Sequence, residues 1–139
     1  MANIMPVENG DSLAKPRILV VEDEVLIRLS MADELRRAGF TVVEASNVDE
    51  ALAVLGTDAN IDIVLTDIRM PGRLDGIDLA RWLRKNMPHI RVAIASANVE
   101  PEMQHEFDAI FGKPVYMADV VAKLRQLLPS EEQSGPRDS

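Results

Sequence analysis

Arg17-Ile18-Leu19-Val20-Val21-Glu22-Asp23-Glu24 is the stretch that decides the fold. Four consecutive apolar residues show no polar alternation, so both faces of this strand ask to be covered, as in the middle of a parallel sheet. The run then stops abruptly on acids. Three further runs stop in the same way: Ile61 to Thr66 on Asp67, Val92 to Ala95 on Ser96, and Ala109-Ile110-Phe111-Gly112 on Lys113-Pro114. Strand C-termini of a parallel sheet share one edge, so three acids, a hydroxyl and an ammonium converge there. Such a set can hold a hard divalent cation and accept a phosphoryl group.

Between these runs lie helical patterns, and the alternation is that of successive βα units. A first helix is expected from about Glu24 to Ala38, burying Ile27, Met31, Leu35 and Ala38 and stopping at Gly39. A short edge strand, Thr41 to Glu44, follows. The second helix opens with Asn47 and Glu50 at capping-box spacing, buries Val48, Leu52 and Leu55, and halts at Gly56. The third strand, Ile63 to Thr66, leads through the loop 67–76 into a third helix over Ile77 to Asn86, with Ala80, Leu83 and Met87 on its apolar face. The fourth strand is Arg91 to Ala95 and the fifth Ala109 to Gly112. A last helix runs from Tyr116 to Leu128 with Met117, Val121, Leu124 and Leu128 inward.

That makes five strands and five helical slots. The fourth slot is cramped: Ser96 and Lys113 are 17 positions apart. Glu102 to Phe107 leaves room for about one and a half turns at 3.6 residues per turn. The ends carry no helical or strand period, so residues 1–15 are expected as a flexible segment, 16–129 as the domain, and 130–139 as a flexible tail.

The 139 residues suit one domain, and with only 4% aromatic residues its core must rest on aliphatic side chains. A formal charge of −8 argues against direct nucleic-acid binding. The absence of cysteine excludes disulfides and thiolate zinc sites. No run is long enough to span a bilayer and the first residues form no signal peptide, so the expected location is cytoplasmic, without membrane contact. No GxxxxGK[ST] or GxGxxG phosphate loop occurs.

Each candidate residue also has a plainer reading. Asp67, the candidate nucleophile, could be a solvated carboxylate after a strand. Glu22 and Asp23 would hold Mg²⁺, which accepts a few carboxylates and several waters; acids there also favour the N-terminus of a helix. Ser96 could donate to a phosphoryl oxygen or bond local backbone instead. Lys113 would set an ammonium against Asp67, where a lone lysine is otherwise a surface charge. His89 and His105 are weaker candidates for phosphohistidine or metal chemistry.

The motifs Ile-Leu-Val-Val-Glu-Asp-Glu, Leu-Thr-Asp-Ile-Arg-Met-Pro-Gly, Asp75-Gly76, Ser96 and Lys113-Pro114 together resemble the receiver (CheY-like) domain of bacterial two-component response regulators. The resemblance covers about residues 16–129. It implies a flavodoxin-like, doubly wound, five-stranded parallel sheet in the order 2-1-3-4-5, an order the same family illustrates in general accounts of the fold. It further implies that Asp67 takes phosphate from a sensor histidine kinase or histidine phosphotransfer protein. Mg²⁺ would be held by Glu22, Asp23, Asp67 and the backbone carbonyl of Arg69, and Ser96 and Lys113 would contact the phosphoryl group. Activity would then be signalling to a downstream protein, with at most slow autodephosphorylation.

Three departures stand out. The loop Met-Pro-Gly-Arg-Leu-Asp-Gly is one residue longer than the family's usual Met-Pro-x-x-Asp-Gly. Ile110 holds the position of the usual switch aromatic, with Phe111 expected on the opposite face of the strand. The Ser96–Lys113 spacing is several residues short. The last two fall on the surface of the fourth helical slot, fifth strand and last helix, so output through the first helix or through loops around Asn98 and Arg69 is expected instead. Competing readings are a phosphatase using Asp67, which would want an acid where Arg69 stands, a pseudo-receiver without chemistry, and a receiver cut from a longer kinase or regulator.

Overall fold

Every central strand presents one apolar set to each face of the sheet, and two helices cover each face. The computed structural model describes residues 15–57, 60–70, 72–98 and 104–128. The elements are β1 (Arg17–Val21), α1 (Val25–Arg37), β2 (Thr41–Ala45), α2 (Val48–Leu55), β3 (Ile63–Asp67), α3 (Gly76–Asn86), β4 (Arg91–Ser96), β5 (Ala109–Gly112) and α4 (Met117–Leu127). All strand pairs are parallel, in the order β2-β1-β3-β4-β5. The expected sheet and its order are therefore both present.

Leu19 and Val21 of β1, Val64 of β3 and Ile94 of β4 face α2 and α3, meeting Val48, Ala51, Leu79 and Leu83. Ile18 and Val20, Ile63 and Leu65 face the other way, meeting Ala32 and Leu35 of α1 and Val120 and Leu124 of α4. Period-two alternation thus divides the strand residues between two cores. Arg125 locks the second layer by donating to the Ala38 carbonyl at 2.7 Å, at the end of α1.

The helix starts follow their side-chain chemistry. Asn47 accepts from the Glu50 amide, but Glu50 reaches back to the amide and hydroxyl of Ser46 rather than to Asn47. Asp75 and Asp78 form a complete capping box at α3. Gly39, at φ 104°, makes the expected left-handed stop after α1.

Two expectations need correction. Four helices, not five, stand among the described residues; 102 and 103 of the fourth slot lie outside them, and Gln104-His105 form a 3₁₀ turn. Bidentate pairing of Arg81 with Glu106, and Arg84 donating to the His105 and Glu106 carbonyls, clamp that turn to α3. The flexible ends likewise fall outside the described residues, Lys15 apart.

The second correction concerns the buried stripe of α1. Ala32 and Leu35 are buried, but Ile27 is 43% exposed. The inward place in the first turns belongs to Arg28, whose side chain is only 16% exposed. Leu35→Ala should therefore cost about 2–5 kcal/mol in urea unfolding, and Ile27→Ala less than about 1 kcal/mol. Equal losses would restore the stripe read from periodicity.

Candidate functional site

The C-terminal edge of the sheet is assembled by backbone ladders that continue past the strands. Asp67 is paired with Ala95 in the β3–β4 register and Ser96 with Gly112 in the β4–β5 register. The Ile68 amide donates to the Ala95 carbonyl and the Lys113 amide to the Ser96 carbonyl. Asp67, Ser96 and Lys113, read from three separate runs, are thereby held side by side. The Lys113 ammonium donates to Asp67 Oδ2 at 2.5 Å. Its peptide bond to Pro114 is cis.

Asp67 is fixed from beneath as well. The Thr66 hydroxyl donates to the Asp67 carbonyl at 2.9 Å. The Gly76 amide donates to the Ile68 carbonyl, and a Cβ at Gly76 would collide with the Asp67 carbonyl oxygen. Only glycine lets α3 begin this close to the candidate acceptor. The Arg69 amide approaches Asp67 Oδ1 at a long 3.4 Å.

Glu22 is buried at 6% exposure and Asp23 is exposed. The Glu22 carboxylate accepts from the Glu24 amide at 3.0 Å. Burial pushes its pKa above the ordinary value; the Glu24 hydrogen bond opposes this, the charges of Asp67 and Asp23 add to it, and Lys113 lowers it again. Ser96 Oγ donates to the Asn98 carbonyl at 2.9 Å and accepts from the Asn98 amide at 3.1 Å. The plainer reading of its hydroxyl is the one realised here. His89 and His105 are exposed and are not brought to this edge.

Two hollows flank Asp67. One, of about 420 Å³, lies between α1 and the β5–α4 connection and is lined by Leu26, Ile27, Met31, Thr66, Ala95 and Val115. The other, of about 440 Å³, is bordered by Arg69, Ile77, Ser96, Asn98 and Lys113. As expected, Ile110 joins the core under α2 and α3 and Phe111 the opposite core.

Among the described residues no three His, Asp or Glu side chains are drawn together closely enough to hold a metal by side chains alone. Mg²⁺ asks for less, since it keeps several waters and takes one or two carboxylates. A buried Glu22 that feels the charges of Asp67 and Asp23 supplies donors of that kind, so the residues fit the ion.

Residues 18–125 match the family described as Response regulator receiver domain. The chain belongs to that family. Its relatives include the transcriptional regulatory protein ResD of Bacillus subtilis, 33% identical over 128 residues that cover 89% of this chain and 52% of ResD. The chain thus spans about half the length of that regulator. A receiver domain protein (CheY-like) from Methanospirillum hungatei shares the fold at TM-score 0.76 and 26% identity, covering 86% of this chain and 98% of that one. The response regulator TrrA of Thermotoga maritima, solved in complex with Mg²⁺–BeF, gives TM-score 0.71 at 29% identity, covering 81% and 99%.

Sequence reasoning about this receiver domain passed over Arg28, Thr66 and the close approach at Gly76. Arg28 donates to the Glu22 carbonyl at 2.9 Å and to Glu44 at 3.3 Å. Its one sequence signal is its spacing, four residues before Ala32 and seven before Leu35, which puts a cation on the buried side of a helix.

The raised pKa of Glu22 has a definite sign. Its charged form is disfavoured in the fold, so the penalty is absent below the unfolded pKa and complete above the folded one. Glu22→Gln should therefore raise the melting temperature of chelator-treated protein, by an increment that grows as pH rises above the ordinary carboxyl range of about 4. A constant increment, or a loss, would contradict this origin.

Proposed function

We propose that this receiver domain is a phosphoacceptor, with Asp67 taking a phosphoryl group from a sensor histidine kinase or histidine phosphotransfer protein. The observation that carries the reading is the ammonium of Lys113 bound to Asp67 at the same edge as the buried Glu22. Glu22, Asp23, Asp67 and the Arg69 carbonyl would hold Mg²⁺. That ion, when bound, supplies positive charge against the phosphoryl oxygens.

In the transfer an Asp67 carboxylate oxygen bonds to phosphorus as the phosphorus–nitrogen bond of phosphohistidine breaks. The bonding pair returns to the imidazole nitrogen, which takes up a proton. Lys113 then turns from the carboxylate toward the added charge, and positioning rather than covalent chemistry dominates the barrier. Ser96 reaches the phosphoryl group by giving up its donation to the Asn98 carbonyl, so phosphorylation reorders the Asn98 loop. The 3₁₀ turn held by Arg81 and Arg84, together with Ile110, supports output through that loop or α1 in place of the usual aromatic switch.

A donor also needs a surface beside Asp67. Val25, Leu26, Ile27 and Leu29 of α1 and Tyr116 before α4 are large, apolar and 43–80% exposed. Leu26 and Ile27 also line the hollow next to Asp67. We read this face as the place where the helices of the histidine-bearing partner settle. The partner's identity, the downstream protein and a cytoplasmic setting belong to the same proposal; no described helix is long and apolar enough to cross a membrane.

Intact-protein mass after incubation with acetyl phosphate and Mg²⁺ tests the reading. Wild type should gain one phosphoryl increment, and Asp67→Asn none. No increment in wild type that binds Mg²⁺ would favour a pseudo-receiver. Arg69 and Asn98 border the same hollow and flank the approach of water. Arg69→Ala should therefore change the aspartyl-phosphate lifetime more than Mg²⁺ affinity; an unchanged lifetime would reject that role.

A further inference from the structure

We infer that Arg28 is a positioning residue for the acidic turn, holding the Glu22-Asp23 peptide in place for the cation and tying that turn to edge strand β2. Glu22 sits at the end of β1, where its amide donates to the Ala45 carbonyl of β2 at 3.0 Å. Its carbonyl accepts from Arg28 Nη1 at 2.9 Å. The peptide groups on both sides of the Glu22 Cα are therefore anchored, one to the sheet and one to α1. The carboxylate itself accepts from the Glu24 amide. Glu22 is thus held at two backbone points and one side-chain point, which leaves it few ways to turn from the site.

The anchor is itself anchored. Arg28 Nε donates to Glu44 Oε1 at 3.3 Å, and the two side chains are 16% and 23% exposed. Glu44 Oε2 accepts from Arg36 Nη2 at 3.2 Å, so one β2 carboxylate joins two arginines of the same helix. The planar guanidinium can serve a carbonyl and a carboxylate at once, which a single ammonium does less well. Arg28 reaches the Glu22 carbonyl, so it holds the turn through the peptide group. Partners of this kind, one step behind the metal donors, orient those donors.

Sign separates this role from a purely electrostatic one. Removing a nearby cation would by itself strengthen binding of Mg²⁺ through lost repulsion. Removing a positioning group weakens it. The inference rests on Glu22 and Asp23 as Mg²⁺ donors, so the test has an arm that needs no metal.

Arg28→Ala, Arg28→Lys and Arg36→Ala would be compared with wild type. Arg36→Ala loosens the same α1–β2 seam without touching the Glu22 carbonyl. Calorimetry with MgCl₂ should show Arg28→Ala weaker by about tenfold, Arg28→Lys in between, and Arg36→Ala unchanged although its melting temperature also falls. Amide spectra in chelator should show the Asp23 and Glu24 resonances displaced in Arg28→Ala and unmoved in Arg36→Ala. Tighter Mg²⁺ binding by Arg28→Ala, equal weakening by both alanine variants, or unmoved Asp23 and Glu24 resonances would overturn the proposal. Should Arg28→Ala not fold, Arg28→Lys carries both arms, with wild-type affinity and wild-type resonances the overturning result. A wild type that does not bind Mg²⁺ would sink the metal reading of Glu22 and Asp23, and the inference that Arg28 positions the turn for a cation would fall with it; the amide spectra would then report only whether Arg28 holds the turn.

Discussion

Carboxylates crowded at one edge of a parallel sheet are the constraint on which this molecule is built. The topology places Glu22, Asp23 and Asp67 at one edge, because β1 and β3 are adjacent and end at the same level. Burial raises the cost of keeping Glu22 ionised, and the charges of Asp67 and Asp23 add to it. Lys113, brought across from β5, is the cation that answers Asp67 directly.

Rigidity around Asp67 is supplied by backbone, and responsiveness by loops. Thr66 and Gly76 lock the Asp67 peptide from the sheet side and from the start of α3. The hydroxyl of Ser96, by contrast, is occupied with the backbone of Asn98. Such a division lets a local change in charge alter a loop without disturbing the sheet. The 3₁₀ turn before β5 is pinned to α3 through Arg81 and Arg84.

Much of this was legible in the sequence because unbroken apolar runs ending on polar residues admit few arrangements. Val20-Val21-Glu22-Asp23 and Leu65-Thr66-Asp67 named both the strand and its acidic end, and the sheet order followed from the resemblance they carry. Helix faces were less legible. Periodicity counts apolar residues, so it assigned Ile27 to the core and could not see that Arg28 takes the inward place by bonding a carbonyl and Glu44. Ser96 was open to two readings, and only the position of the Asn98 backbone selects between them. Gly76 carried a motif signal, but its reason is a close approach that no one-dimensional pattern encodes.

The proposed role of Asp67 is tested most directly by trapping the carboxylate that carries the phosphoryl group. Protein treated with acetyl phosphate and Mg²⁺ can be reduced with borohydride, which converts an acyl phosphate to the alcohol, and then mapped by peptide mass. The expected result is homoserine at position 67 and at no other acid, with none formed when Mg²⁺ is withheld. Homoserine at Asp23, the one-carbon-longer alcohol (2-amino-5-hydroxypentanoic acid) at Glu22, or an unreduced Asp67 in protein that carries phosphate, would contradict the assignment of Asp67 as the acceptor.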